Sequence, residues 1–360
     1  MSTTGSSNPA YVNARVRARS AALFSDDEYR KLVRMSPAEI ARYMEESEYE
    51  REINELGTRY SGVDLIEHAL NRNLARHFND LLDFSEGQLY ELIARYLRKF
   101  DALNVKTVLR GLYSGASREA IESDLVRAGE FDDRMYDRLL EAGTIEDVIT
   151  TLEETMFGEP LEAAFEEFES QDVLIPLENA VDRTFYEKLL EETTESYYRK
   201  LLGGLVSSES LELYREFLRA EIDFRNAINA LRLARSGADI DPEAYFIEGG
   251  SLFEAAEMST VVRDPETLVT RITESEYGGK LAESLDGLEE AESLIEFERA
   301  LEAVLLKYSR QLGNASPLSV GPVVRYILMK EREVENIRAI ARGREAGLSE
   351  TEIEQELVIL

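Results

Sequence analysis

Three times along the chain an acidic residue is followed three positions later by Asn and, six positions beyond that, by Arg. The sets are Asp101/Asn104/Arg110, Asp223/Asn226/Arg232 and Glu333/Asn336/Arg342. On a helix, residues three apart share a face, so each carboxylate and carboxamide can act together on backbone amides or on a partner. The Arg lies about 120° round from the Asn and cannot join them in one tight triad. Two readings follow. In the first, the acid and the Asn tie their helix to a neighbouring helix, and the Arg complements the dipole and free carbonyls at the helix C-terminus. In the second, the same face, presented three times around an axis, meets a partner.

Other chemistry finds few residues to carry it. The chain has no cysteine, which excludes disulfides, thiolate metal sites and cysteine nucleophiles together. Its two histidines, His68 and His77, stand nine apart on roughly opposite faces of one helix, the wrong arrangement for joint metal binding. No G-x-x-x-x-G-K-[ST] or G-x-G-x-x-G segment occurs, so direct nucleotide binding is not expected. The strongest enzyme pattern is Asp132-Asp133-x-x-x-Asp137, similar to the aspartate-rich magnesium sites of terpenoid synthases, with Asp26-Asp27-Glu28 as the opposing acidic site. Neither comes with the Lys and Arg clamp that holds a diphosphate. No catalytic residue, cofactor site or metal site is therefore expected.

The elements that must position these residues are helices. Leu, Ala, Glu and Arg dominate the 360 residues, strand-like alternation is nearly absent, and apolar residues recur at three and four. The fold class expected is all-α. Asp and Glu number 72 against 41 Lys and Arg, a net charge of -31 that would repel nucleic acid and anionic lipid headgroups. Acidic excess with few lysines indicates a surface adapted to high salt. Met1 to Ala10 carries no signal-peptide core, and no run reaches the roughly 18 apolar residues of a membrane span. A soluble, cytoplasmic chain is expected.

Four cassettes recur in order. The first is an apolar residue, an aromatic anchor and an apolar residue: Met44/Tyr49/Ile53, Leu152/Phe157/Leu161 and Ile272/Tyr277/Leu281. The second reads apolar-Glu-x-Ala at Ile66 to Ala69, Leu177 to Ala180 and Phe297 to Ala300, with Glu67, Glu178 and Glu298 expected to face the positive end of a helix dipole. The third is the acid/Asn/Arg set. The fourth is a glycine eleven residues after each Asn, at Gly115, Gly237 and Gly347, where a helix ends in a left-handed residue. Helix starts follow at Ser117, at Asp241-Pro242 and at Ser349-x-x-Glu352; Ser36-Pro37 marks another.

The period is about 115 residues, the mark of internal repetition. It divides the chain into a disordered tail at 1–10 and helical repeats at 11–128, 129–248 and 249–360, with a loop-like insertion in the second near 197–212. Three such copies either close into a pseudo-threefold body around a central funnel or open into a solenoid.

Tyr11-x-x-Ala14-Arg15-Val16-Arg17-Ala18, Asp101-x-x-Asn104-x-Lys106 and Tyr326-Ile327-x-x-Lys330-x-x-Glu333-x-x-Asn336-Ile337-Arg338, taken in order, resemble the C subunit of the archaeal-type (V/A-type) ATP synthase, a relative of the d subunit of the vacuolar ATPase. The resemblance spans essentially the whole chain. It implies three related helical subdomains around a funnel. It also implies a non-catalytic role on the cytoplasmic face of the membrane, one copy per complex, joining the central-stalk D and F subunits to the membrane proteolipid ring. Torque would pass through it during proton- or sodium-driven ATP synthesis. The competing expectation is a general helical-repeat scaffold for some other protein partner.

Overall fold

The computed structural model describes residues 7–194, 208–236, 241–279, 294–315 and 318–358. Among the described residues there is no strand; the all-α expectation holds. The described chain forms two compact units, one of residues 1–152 with 316–360 and one of 153–315.

The first unit holds α1 (Pro9–Ser20), α2 (Asp26–Leu32), α3 (Pro37–Glu45), α4 (Glu50–Leu56), α5 (Gly62–Asp83), α6 (Gly87–Leu97), α7 (Lys99–Ser114), α8 (Arg118–Asp124), α9 (Asp133–Glu141) and α10 (Ile145–Thr151). It is completed by α17 (Gly321–Glu345) and α18 (Glu350–Gln355). The long α17 packs on α1 and α5, so the two ends of the chain share one core. Val12 and Val16 of α1, Ile66, Leu70 and Phe78 of α5, and Val324, Ile327 and Ile337 of α17 are fully buried there. Within each helix these positions recur at spacings of three, four and eight, or at ten, that place them on one face.

The second unit holds α11 (Gly158–Gln171), α12 (Ile175–Glu192), α13 (Ser208–Ser236), a 3-10 turn (Pro242–Tyr245), α14 (Ala255–Arg263), α15 (Pro265–Glu274) and α16 (Leu294–Ala315). Its core gathers Phe224, Leu231, Phe246, Phe253, Met258, Leu268 and Ile272 around Tyr277. Most of the insertion expected near 197–212 lies outside the described residues, but Ser208 to Glu212 belong to the first turns of α13 rather than to a loop.

Helix ends follow the local chemistry of the sequence. Gly115 and Gly347 take the left-handed conformation at φ 71° and 78°, which a side chain would strain. Gly237 lies outside the described residues. Ser349 and Glu352 form a reciprocal capping box, Ser117 caps α8 through the Ala120 amide, and Glu39 reaches back 2.8 Å to the Ser36 amide. Asp241-Pro242 opens a single 3-10 turn rather than an α-helix.

Candidate functional site

The three asparagines make the same pair of bonds. Asn104 Nδ2 donates to the Val126 carbonyl at 2.8 Å, and the Val126 amide donates to Asn104 Oδ1 at 2.9 Å. Asn226 does the same with Ile247, at 2.9 Å in both directions. Asn336 does so with Val358, at 3.1 and 3.0 Å. Each side chain bonds both the amide and the carbonyl of one residue, 21 or 22 positions downstream, and all three asparagines are at most 2 % exposed. The fold needs this clamp because the segment after each capped helix is buried with no strand to pair with, and buried amides must be bonded.

The acidic residues hold the next stretch of backbone. Asp101 accepts from the amides of Glu130 at 2.7 Å and Phe131 at 3.2 Å, and from the Tyr136 hydroxyl at 3.3 Å. Asp223 accepts from the amides of Ser251 at 2.7 Å and Leu252 at 2.9 Å, from the Ser251 hydroxyl at 3.0 Å and from the Tyr277 hydroxyl at 2.8 Å. Glu333 accepts from the Phe24 amide at 2.6 Å and the Tyr49 hydroxyl at 2.8 Å. The backbone comes this close because it carries glycine: a Cβ on Gly129 would stand 2.1 Å from Asp101 Oδ1, and one on Gly250 would stand 2.2 Å from Asp223 Oδ1. The third copy sets a longer Glu against Ala22-Leu23-Phe24, and there no glycine precedes the contact.

Electrostatics separates the copies. Burial pushes the Asp101 carboxyl up to about 6, against the pull of its two amide bonds and the Tyr136 hydroxyl. Burial also raises Asp223. The third copy brings a cation: Lys330, fully buried, donates to Glu333 Oε1 at 2.7 Å and to the Tyr49 hydroxyl at 3.0 Å, its ammonium 4.1 Å from the Tyr49 ring centre. Burial lowers the Lys330 pKa while the Glu333 charge supports it. An isolated ammonium so buried would be costly, and the paired carboxylate offsets that cost.

The arginines of the sets stand apart from this work. Arg110, Arg232 and Arg342 are exposed, and Arg342 Nε reaches Glu67 at 2.5 Å. Glu67 lies in the second turn of α5 and binds Arg338 at 2.8 Å as well, so it ties α5 to α17 instead of facing a helix N-terminus. Glu178 does sit in a first turn, that of α12; the Glu298 side chain is outside what the structure describes. The anchors Tyr49, Phe157 and Tyr277 are buried as expected of core residues.

The nominated acidic runs are helix caps and ion pairs. Asp132 accepts from the Met135 amide at 2.9 Å, Asp133 pairs with Arg127 at 2.8 Å, Asp27 pairs with Arg30 at 2.8 Å, and Asp26 pairs with Arg332 at 2.9 Å. Glu28 closes the capping box of Ser25. His68 lies against Tyr60 with ring centres 3.9 Å apart. His77 is buried, its Nδ1 2.5 Å from the Tyr326 hydroxyl, and burial with the nearby Lys330 charge drives its pKa down to about 2. Among the described residues no group of three or more His, Asp or Glu is placed to hold a metal.

Sequence reasoning missed the hydroxyls of Tyr49, Tyr277 and Tyr136 as partners of the acids, the glycines that admit the backbone, and the ammonium of Lys330. One signal was available. Tyr occupies the aromatic anchor in two copies where Phe occupies it in the other, and Tyr136 supplies the hydroxyl for Asp101.

These features define a class: an all-helical protein in which one acid/Asn pattern recurs three times, each time engaged in internal bonds. Comparison places it more closely. A family model described as ATP synthase (C/AC39) subunit matches residues 12–356. The chain is 66% identical over its full length to the C subunit of the A-type ATP synthase of Haloferax volcanii, which it covers completely. It is 61% identical to that of Haloquadratum walsbyi, over 99% of this chain and 100% of the relative. It is 36% identical to that of Methanosarcina acetivorans, over 99% of this chain and 94% of the relative. The chain belongs to the ATP synthase (C/AC39) subunit family.

Proposed function

We propose that this chain is a non-catalytic coupling subunit of a rotary A-type ATP synthase, seated between the central-stalk D and F subunits and the membrane proteolipid ring. On this reading its three repeats form a pseudo-threefold funnel that receives the shaft, one copy serves each complex, and torque crosses it during proton- or sodium-driven synthesis. It would lie peripherally on the cytoplasmic face of the membrane. No described helix is long and apolar enough to cross a membrane, which is compatible with a peripheral seat.

The observation that carries the proposal is full-length similarity to several proteins named as this component of the synthase, with no large segment left over in either chain. The clamps support it physically. Transmitted torque shears helices past their connections, and here each of three connections is bonded back to a preceding helix by a buried asparagine, with a buried acid added in the first two. The test is genetic and functional. Membranes from cells lacking this chain should lose ion-driven ATP synthesis while ATP hydrolysis by the detached head persists, and adding the purified chain should restore coupling. Synthesis that continues without the chain would overturn the proposal.

A further inference from the structure

Residues 1–25 of this very acidic chain, with Arg15, Arg17 and Arg19, contain no carboxylate, nor do residues 318–330, with Arg325 and the buried Lys330. The two stretches meet at α1. Asn13 of α1, itself buried, donates to the Ser319 carbonyl at 3.1 Å, and α1 packs along α17. Val12, Asn13 and Val16 form the inner face of α1; Tyr11, Ala14, Arg15, Arg17 and Ala18 are exposed on the outer side. Tyr11 is 50% exposed and Leu318 is 66% exposed, the two largest exposures of big apolar residues in the described protein. Arg15 lies over the rings of Tyr11 and Phe84 at 5.0 Å from each, which holds its guanidinium outward. Among the described residues neither Arg15 nor Arg17 has an ion-pair partner, whereas Arg19, turned inward, pairs with Asp80. Carboxylates stand close by: Asp80 pairs with Arg19, and Asp83 and Glu86 flank Phe84 in sequence.

Helices α2, α3, α9 and α10 each present carboxylates in their first turns; α1, like α6 and α17, presents none. A patch with Tyr11 and two unpaired arginines on a protein of charge -31 is suited to a covered surface of opposite charge. Its shape favours a helix over a lipid layer. Ala14 and Ala18 are small enough for another helix backbone to lie close, and a bilayer surface would be better served by larger apolar side chains than these. Arginine forks match carboxylates at contact, where salt screens little. We infer that the outer face of α1 docks a carboxylate-bearing helix of a neighbouring subunit of the synthase, an inference that rests on the coupling role proposed above.

The absence of native cysteine makes the test clean. Cells would carry Ala18→Cys, or Glu169→Cys as an exposed control, and the introduced thiol would be labelled in the free chain and in the purified synthase. The thiol of Ala18→Cys should react at least tenfold more slowly in the assembled synthase, with that of Glu169→Cys unchanged. A photoreactive group attached to the thiol of Ala18→Cys should join a protein subunit through a carboxylate-bearing helix. Arg15→Glu with Arg17→Glu should weaken assembly at least tenfold while the free chain keeps its helicity and melting midpoint, and Arg15→Lys with Arg17→Lys should retain part of it. An Ala18→Cys thiol as reactive in the synthase as in the free chain, or a photoproduct with lipid alone, would overturn this inference and leave the coupling role standing. A chain missing from the purified synthase would overturn both.

Discussion

At the scale of residues, each clamp asparagine satisfies a buried amide and a buried carbonyl at once. Replacing Asn104, Asn226 or Asn336 by Ala should therefore cost about 2–4 kcal/mol, since both backbone groups lose their partner out of reach of water. Denaturant unfolding of the three variants checks this, and a loss under about 0.5 kcal/mol would show the bonds to be replaceable. The carboxyl and imidazole groups give a pH signature with opposite signs. Asp101, raised to about 6 in the folded state, contributes stability that is present below its unfolded value and lost as pH rises through 6. His77, depressed to about 2, contributes stability that is present above its unfolded value and lost as pH falls from there toward 2. Between about pH 4 and 6 the two slopes, each about 1.4 kcal/mol per unit, oppose one another. Below that window only His77 is left, and acid unfolding should follow. His77→Gln should therefore shift the acid midpoint downward, and Asp101→Asn should steepen the loss between pH 6 and 4, both measurable by circular dichroism.

At the scale of elements, the same three-part device recurs with its parts exchanged: a clamp Asn, an acid, and a hydroxyl to meet the acid. Tyr277→Phe removes the hydroxyl from Asp223 and should cost about 1.5–3 kcal/mol. Gly129→Ala and Gly250→Ala press a methyl into the carboxylate and should each cost about 1–3 kcal/mol; thermal melts of the two variants read the effect. Much of this level could be read in the sequence. The helical class, the Ser349–Glu352 box and the left-handed Gly115 and Gly347 depend on neighbours within a few residues, so short patterns report them. The targets of the clamps could not be read. Val126, Ile247 and Val358 are bonded only through their backbones, and any residue type offers those groups. The Tyr49–Glu333 bond joins residues 284 apart, and nothing local announces it. Glu67 was misplaced for the same reason: its partners Arg338 and Arg342 lie far along the chain, and only the packing of α5 on α17 brings them near.

At the scale of the whole molecule, the bonds of Glu333 to Phe24 and Tyr49, with Lys330 between, fasten the chain's beginning to its last long helix. A body built this way keeps its helices in register under load, which the proposed coupling role requires. In molar salt the screening length falls to about 3 Å, so contacts between this protein and its neighbours must rest on close packing and touching hydrogen bonds rather than on distant charges. The most direct measurement mixes the purified chain with the D and F stalk subunits of the same organism in molar salt and follows the mass by light scattering. The coupling account predicts a one-to-one-to-one complex whose affinity changes little as salt is raised further. Folded components that remain separate across a broad range of salt would contradict it and favour a helical-repeat scaffold with another partner.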